Sequence, residues 1–451
     1  MTKAPLLIVI LAAGRGVRMR SQSPKVMHAV GGRPMLAHVI ATARAAGAAR
    51  IALVVAPGQE AVRRLAEAEM PGIEVFEQAT QSGTAHAVLA AAEAIATHRG
   101  DVAVLFADTP LMRAETVQSL LDLLEAGAGV GVLGFRPADP GGYGRVLADA
   151  AGNVAAIREE KDASAEERAI GLCNAGAMAF RVEDLVGLLR QIGNGNCAGE
   201  YYLTDAVALA RARGLGVRVA IGSVQDAMGV NSRTQLAEVE AAFQQRRRAK
   251  AMEEGATLIA PETVWFSYDT VIGQDVTIEP NVFFGPGVTV EDGATILANC
   301  HFVGARIGKG ARVGPFARMR PGADLGEDVH IGNFVEVKAA TLAKGAKANH
   351  LAYIGDGSVG ERANIGAGTI FCNYDGFDKR QTHVGKGAFI GSNSSLVAPV
   401  RIGDGAFVAA GSVVGQDVEA DALAVARAPL EMRPQWAAKF RHMKLRRKGK
   451  G

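Results

Sequence analysis

Cysteine is scarce in this chain of 451 residues. Cys173, Cys197, Cys300 and Cys372 stand far apart with no C-x-x-C pair, which argues against structural zinc and a disulfide framework and points to a reducing, cytoplasmic setting. No apolar run approaches the roughly 20 residues that a membrane span needs. The opening MTKAP lacks the form of a signal peptide. Acid is missing from residues 439–451, KFRHMKLRRKGKG, which hold seven Lys or Arg; without them the formal charge of +3 becomes −4. Only that tail is basic, so a solvated segment is expected there, and nucleic acid is not an expected partner. What is present, 49% hydrophobic and 21% charged residues, suits a globular chain of two or three domains.

The texture changes near residue 230. Before it, apolar strands at 6–11, 51–56, 101–107, 129–135 and 216–222 alternate with helical patterns such as 84–96 and 114–126. That alternation predicts a mostly parallel α/β sheet. Residues 232–252 carry helical spacing without glycine or proline and read as one connecting helix between domains at 1–231 and 253–451. Beyond it, apolar residues recur every six positions from Ile272 to Phe302 and from Ile307 to Val337. The count resumes at Leu342 and Val359, and at Val384 after an interruption, CNYDGFDKRQTH. Each block holds a multiple of three hexads, as a triangular solenoid with three short strands per coil requires. The period predicts a left-handed parallel β-helix.

The stretch LLIVILAAGRGVRMRSQSPKVMHAV (6–30) joins a fully apolar strand to a glycine turn and a run of cations. The third glycine of a dinucleotide fingerprint is replaced by Met19, and no acid ends the second strand, where Val55 leads into Ala56-Pro57-Gly58. No G-x-x-x-x-G-K-[ST] loop is present. A Rossmann-like domain without those fingerprints remains, with a backbone nest at Leu11, Ala12, Ala13 and Gly14 and the cations Arg18 and Lys25 beyond it. Such a loop suits a nucleoside triphosphate and neutralises charge as pyrophosphate departs; a solvated basic loop is the alternative. DVAVLFADTPL places Asp108 at the carboxyl end of a strand, where a carboxylate facing phosphates suits Mg²⁺ or caps a helix. Gln78 and QSGTAHA (81–87) offer groups for a base. GGYGRV (141–146), Glu159 and Asn174 offer contacts to sugar hydroxyls, although Gly-Tyr-Gly also suits a hairpin turn.

LAAGRGVRM, PKVMH, the strand ending in Asp108, GYGR, NAG, EYYLTD and GVNSR, followed by a helix and hexapeptide repeats, give the whole chain a family resemblance. It resembles the bifunctional bacterial N-acetylglucosamine-1-phosphate uridyltransferases/glucosamine-1-phosphate acetyltransferases. The resemblance implies acetyl transfer from acetyl-CoA to glucosamine 1-phosphate in the solenoid. It further implies coupling of N-acetylglucosamine 1-phosphate to UTP in the first domain, giving UDP-N-acetylglucosamine for the cell envelope. By motif, Leu11 to Gly14 would bind the nucleotide, Arg18 and Lys25 its phosphates, and Gln78, Gly83 and Thr84 uracil. Asp108 and Asn231 would hold Mg²⁺, and Gly144, Glu159 and Asn174 the sugar. Val17 stands where the family commonly has Thr, and Phe106-Ala107-Asp108 replaces its usual Tyr-Gly-Asp.

In the solenoid the resemblance gives Arg320 and Lys338 to the sugar phosphate and Tyr353 and Asn364 to the sugar. His350 would be general base for the sugar amine, since imidazole exchanges protons near neutrality, and Glu336 would orient it. Ala367, Asn373, Tyr374, Ser392, Ala410 and Arg427 match acetyl-CoA positions. A homotrimer with acetyltransferase sites between subunits is implied. Two readings compete with this one: a regulatory protein using an inert solenoid for assembly, and a nucleotidyltransferase of single function.

Overall fold

The computed structural model describes residues 4–181 and 183–448 and divides into two compact units, 1–249 and 250–451. In the first, the opening strand Leu6–Leu11 runs parallel between Arg50–Val55 and Asp101–Phe106. Its side chains alternate between two cores, Leu7, Val9 and Leu11 in one and Leu6, Ile8 and Ile10 in the other. Both faces are therefore covered, and the strand needs no polar side.

Across the sheet the order is Val217–Ile221, Val130–Phe135, Cys173–Phe180, Asp101–Phe106, Leu6–Leu11, Arg50–Val55 and Glu74–Glu77. Cys173–Phe180 runs antiparallel to both neighbours, a strand that its sequence CNAGAMAF, poor in β-branched residues, does not announce. A hairpin of Arg145–Ala148 and Val154–Arg158 extends from it. The helical stretch expected at 84–96 is two helices, Thr84–Ala90 and Ala92–Thr97. They part at Ala91, whose N–H reaches the nearer carbonyl of Val88 at 3.0 Å.

A helix spans Arg233–Glu253. Its first half packs Val239, Leu236, Ala242 and Phe243 against Met19, Val30, Met35 and Leu111 of the first unit.

The second unit is a three-sided parallel β-helix. Thr277 pairs with Thr295, 18 residues on, and where a hexad loses a residue the offset falls to 17, as from Glu336 to Tyr353. One face is a ladder of ten strands from Thr257–Leu258 to Leu423–Ala424. The other two join into one sheet because Glu336–Leu342 and Tyr353–Val359 run unbroken round a corner, each at a shortened hexad. The interruption bulges from that same corner, between Ile370–Cys372 and Thr382–Val384, and lengthens the offset to 25 residues. Every counted apolar residue points into one continuous core, only Ile272 at its end being partly buried. The rings of Phe266, Phe284 and Phe302 stack through it at 5.3 and 5.2 Å.

A second corner carries a column of residues in the left-handed region: Asn281, Asn299, Phe316, Phe334, Leu351, Gly368, Asn393 and Gly411. Glycine and asparagine are at home there. Phe316, Phe334 and Leu351, with φ of 56°, 57° and 51°, are not, and all three are exposed.

The basic stretch is not coil. Trp436–Lys448 is a helix with every side chain exposed; residues 449–451 lie outside the described residues.

Candidate active sites

The nest after the first strand is fixed from both sides. Ala12 N donates to Val54 O at 2.8 Å, and Leu11 O accepts from Ala107 N at 3.1 Å. A pocket opens there, lined by Leu11, Ala12, Ala13, Gly14, Lys25, Gln78, Gly83, Thr84 and Asp108, with Val26, Gln81, Ala87, Phe106 and Glu200 completing its wall. A Cβ at Gly14 would meet no protein atom within 4 Å, so the backbone there faces free space. Gln81 ties the loop down, accepting from Arg15 Nε at 2.7 Å and donating to Ala13 O at 3.2 Å.

Gln78 is buried and donates to Gly83 O at 3.2 Å. Gly83 has φ of 115°, and a Cβ there would stand 2.5 Å from Tyr201 O. Tyr201 itself bonds Ser82 O and Ala85 N. We expect Gly83→Ala to destabilise the first unit by about 1–3 kcal/mol, read as a lower urea midpoint; an unchanged midpoint would remove this account of the glycine. Thr84 Oγ1 accepts from Leu203 N at 2.9 Å, so its hydroxyl serves the wall as well as the pocket.

Asp108 and Asn231 meet across the chain. Val230 N donates to Asp108 O at 2.9 Å, which brings Asn231 alongside. The ammonium of Lys25 bonds both the Asp108 carboxylate and, at 3.0 Å, Asn231 Oδ1. Behind this loop Asp226 is fully buried, receiving Arg113, Thr116 and Arg246. Burial pushes its carboxyl up, but those donors hold it below the usual carboxylate range. Arg246 lies on the long helix and also donates to Leu111 O at 2.6 Å, so that helix braces the segments carrying both oxygen donors. Arg18 is not in the pocket wall; it is exposed, with no ion pair or hydrogen bond among the described residues. Val17 is exposed beside it.

Gly144, Glu159 and Asn174 form a neighbouring group. Asn174 N donates to Gly144 O at 2.8 Å, and a Cβ on Gly144 would lie 3.3 Å from Glu159 Oε2. Burial raises the Glu159 carboxyl above its ordinary range despite a hydrogen bond from Thr204 Oγ1 at 3.2 Å. The Leu203–Thr204 segment thus links this group to Thr84. Phe106 packs its ring against Gly176, where a Cβ would come within 3.1 Å.

In the solenoid, strand register explains which residues meet. Asn333 pairs with His350, and the same column continues through Ala367, Ser392 and Ala410: Gly368 N donates to His350 O, Asn393 N to Ala367 O and Gly411 N to Ser392 O. Arg427 closes the column, donating to Ala410 O at 2.6 Å. Between His350 and Arg427 the corner therefore carries only small side chains and a single asparagine, Asn393, a cut-away strip along its edge. His350 Nδ1 lies 2.7 Å from Asn333 Oδ1. An amide oxygen only accepts, so Nδ1 carries the hydrogen and Nε2 the lone pair.

Glu336 does not orient His350. It accepts from Arg320 at 2.8 Å and from Arg318 at 3.5 Å, because register sets it beside Arg318 and Tyr353, three residues along from the Asn333–His350 rung. At the next corner Lys338 pairs with Asp356 at 3.3 Å, and Asp356 also accepts from Asn373, itself 3.4 Å from Tyr353 Oη. Lys379, from the inserted loop, joins this group, its ammonium disfavoured chiefly by Lys338. Tyr374 is exposed and donates to Gly376 O at 2.6 Å within the loop. Asn364 opens the strand that leads to Ala367.

A family model described as the MobA-like NTP transferase domain matches residues 8–170. The bacterial transferase hexapeptide (six repeats) matches 269–303, 304–339 and 381–416. The bifunctional protein GlmU of Azorhizobium caulinodans is 56% identical over 441 residues, 98% of each chain. That of Xanthobacter autotrophicus is 56% identical over 449 residues, 100% of each chain. That of Paramagnetospirillum magneticum is 50% identical over 452 residues, again 100% of each.

The chain belongs to the GlmU family.

Within that family frame, three residues stand in the solenoid constellation that sequence reasoning did not single out, Asn333, Asp356 and Lys379, while Gln81, expected among groups for a base, serves as a clasp. A signal for two of them was available. Stepping one coil of 17 back from His350 gives Asn333, and one coil of 17 forward from Lys338 gives Gly355, with Asp356 the next residue along.

Proposed function

We propose that the two constellations divide the two reactions of this bifunctional transferase between its units. The chain acetylates glucosamine 1-phosphate with acetyl-CoA and joins the product to UTP, giving UDP-N-acetylglucosamine and pyrophosphate. The observation that carries the division is the His350–Asn333 pair at the foot of a strip of small residues, far along the chain from the Asp108 pocket. An inert assembly solenoid has no use for such a pair.

For acetyl transfer, Lys338, Lys379 and Arg320 hold the sugar phosphate at one corner, with Tyr353 on the strand leading there from His350. The strip at Ala367, Ser392 and Ala410 receives acetyl-CoA, with Asn373, Tyr374 and Arg427 contributing contacts and Asn364 a contact to the sugar. His350 Nε2 accepts a proton from the amine as its nitrogen bonds to the thioester carbonyl carbon. The C–S bond then breaks and CoA leaves as thiol. A cysteine relay is not needed, and burial pushes the Cys300 thiol up to about 11.

For uridyl transfer, Gln78, Gly83 and Thr84 hold uracil and the Leu11–Gly14 nest the phosphates. Gly144, Glu159 and Asn174 hold the sugar. A sugar-phosphate oxygen attacks the α-phosphorus of UTP as the bond to the β-phosphate breaks, and Lys25 and Arg18 neutralise the departing pyrophosphate. Asp108 and Asn231 would hold Mg²⁺: their oxygens already converge on one cation, the Lys25 ammonium, as the donor set of a hard ion should. When bound, the ion supplies charge neutralisation at the phosphates.

The same reading makes the protein a cytoplasmic homotrimer. No described helix is long and apolar enough to cross a membrane. Phe316, Phe334 and Leu351 sit exposed beside His350 in a conformation costing roughly 1–2 kcal/mol each, a cost that contact with a second copy offsets. Two assays on the intact chain test the function: CoA release with glucosamine 1-phosphate, and pyrophosphate release with UTP and N-acetylglucosamine 1-phosphate. Failure of either in folded protein removes that half. Light scattering should give three times 46.9 kDa; a monomer with full acetyl transfer would refute the assembly.

A further inference from the structure

The Trp436–Lys448 helix takes no part in either constellation. It holds six Lys or Arg and no acid, and every side chain is exposed. A helix of this length is marginal by itself, and like charges three and four apart weaken it further. Three of its large apolar residues are nonetheless placed in order, with Leu445 on the opposite side. Trp436, Phe440 and Met443 follow one another at i, i+4 and i+7, so they share a side over the first two turns, and Arg447 at i+11 continues that side with a cation. The Trp436 and Phe440 rings stack at 5.1 Å, and the Lys444 ammonium stands 5.4 Å over Phe440. Exposures of 55%, 40% and 45% leave this row in water. Cations flank it on both sides, with aliphatic stems long enough to lie along an apolar layer while their charges remain in water. The remainder of the chain outside 439–451 is net negative, so the positive field is concentrated here.

We propose that this helix seats the enzyme on an anionic phospholipid surface, lying in the headgroup plane with Trp436, Phe440 and Met443 turned toward the acyl boundary. An anionic bilayer interface answers both features at once, covering the apolar row and neutralising the cations. A nucleic acid strand would neutralise the cations and leave Met443 in water.

The chain has two tryptophans, so full-length protein carrying Trp265→Phe reports on Trp436 alone. Its fluorescence should shift to the blue, and the protein should sediment, with vesicles of mixed phosphatidylglycerol and phosphatidylcholine but not with phosphatidylcholine alone. Added salt should reverse both. Changing Arg446, Arg447 and Lys448 together to Gln should weaken partition on the order of 100-fold, and Phe440→Ser should remove the sedimentation, while both transferase activities persist. Absence of a shift on anionic vesicles would overturn the proposal, as would equal partition of the Gln variant. A shift on single-stranded RNA at equal phosphate, with none on vesicles, would make the helix a nucleic-acid arm instead.

Discussion

We expect His350→Ala to lower acetyl transfer by roughly 10²- to 10⁴-fold, the scale of a lost general base, while uridyl transfer from supplied N-acetylglucosamine 1-phosphate continues at the parent rate. The sugar amine attacks only as its proton leaves, and an alanine offers no lone pair. His350 is exposed at a corner and fills no core, so the variant should fold as the parent does. Asn333 fixes the hydrogen on Nδ1 and with it the basic nitrogen. Asn333→Ala should therefore lower kcat by about tenfold with little change in KM for either substrate, since the positioning residue touches neither. An acetylated enzyme trapped without sugar, or parent-level acetyl transfer by His350→Ala, would show the assignment wrong.

The solenoid was legible because its code is local. One apolar residue in six must face the axis, and each counted residue from Ile278 to Val414 does so. Partnerships between coils are not local in that sense. Glu336 looks like the natural partner of His350 by charge and proximity in sequence, yet a coil brings together residues 17 or 18 apart, so an uncharged Asn333 takes the place. In the first unit, Leu6–Leu11 and, after its opening aspartate, Asp101–Phe106 announce themselves by apolar runs. Cys173–Phe180 does not, being built from Ala, Gly and Asn and held by its neighbours rather than by propensity. Gly83 shows the same limit at a single position. Its need for glycine comes from Tyr201, over a hundred residues away in sequence, and no local pattern carries that information.

The Asp108 pocket leads to the other large effect. Asp108→Asn should lower uridyl transfer by about 10²- to 10³-fold, the range seen when a preorganised electrostatic group is lost, and should leave acetyl transfer intact. The asparagine keeps the shape of the side chain and an oxygen for Lys25, and the Val230 N–H bond to the main-chain oxygen of residue 108 is untouched. Loss of fold is therefore not the expected cause. Asp108→Ala should abolish the same activity but at a further cost in stability, about 1–3 kcal/mol, because the largely buried Lys25 ammonium would keep only Asn231, at 3.0 Å, as a partner. Comparing the two separates charge from packing. If the carboxylate serves Mg²⁺, the Asn variant should also require more of the ion for half-maximal pyrophosphate release, a shift that simple loosening of the loop would not produce. Pyrophosphate release, CoA release and urea unfolding measured on each variant decide the matter. Loss of both activities in a folded Asp108→Asn protein would contradict the division of labour between the two units, and an unchanged pyrophosphate rate would remove Asp108 from the chemistry.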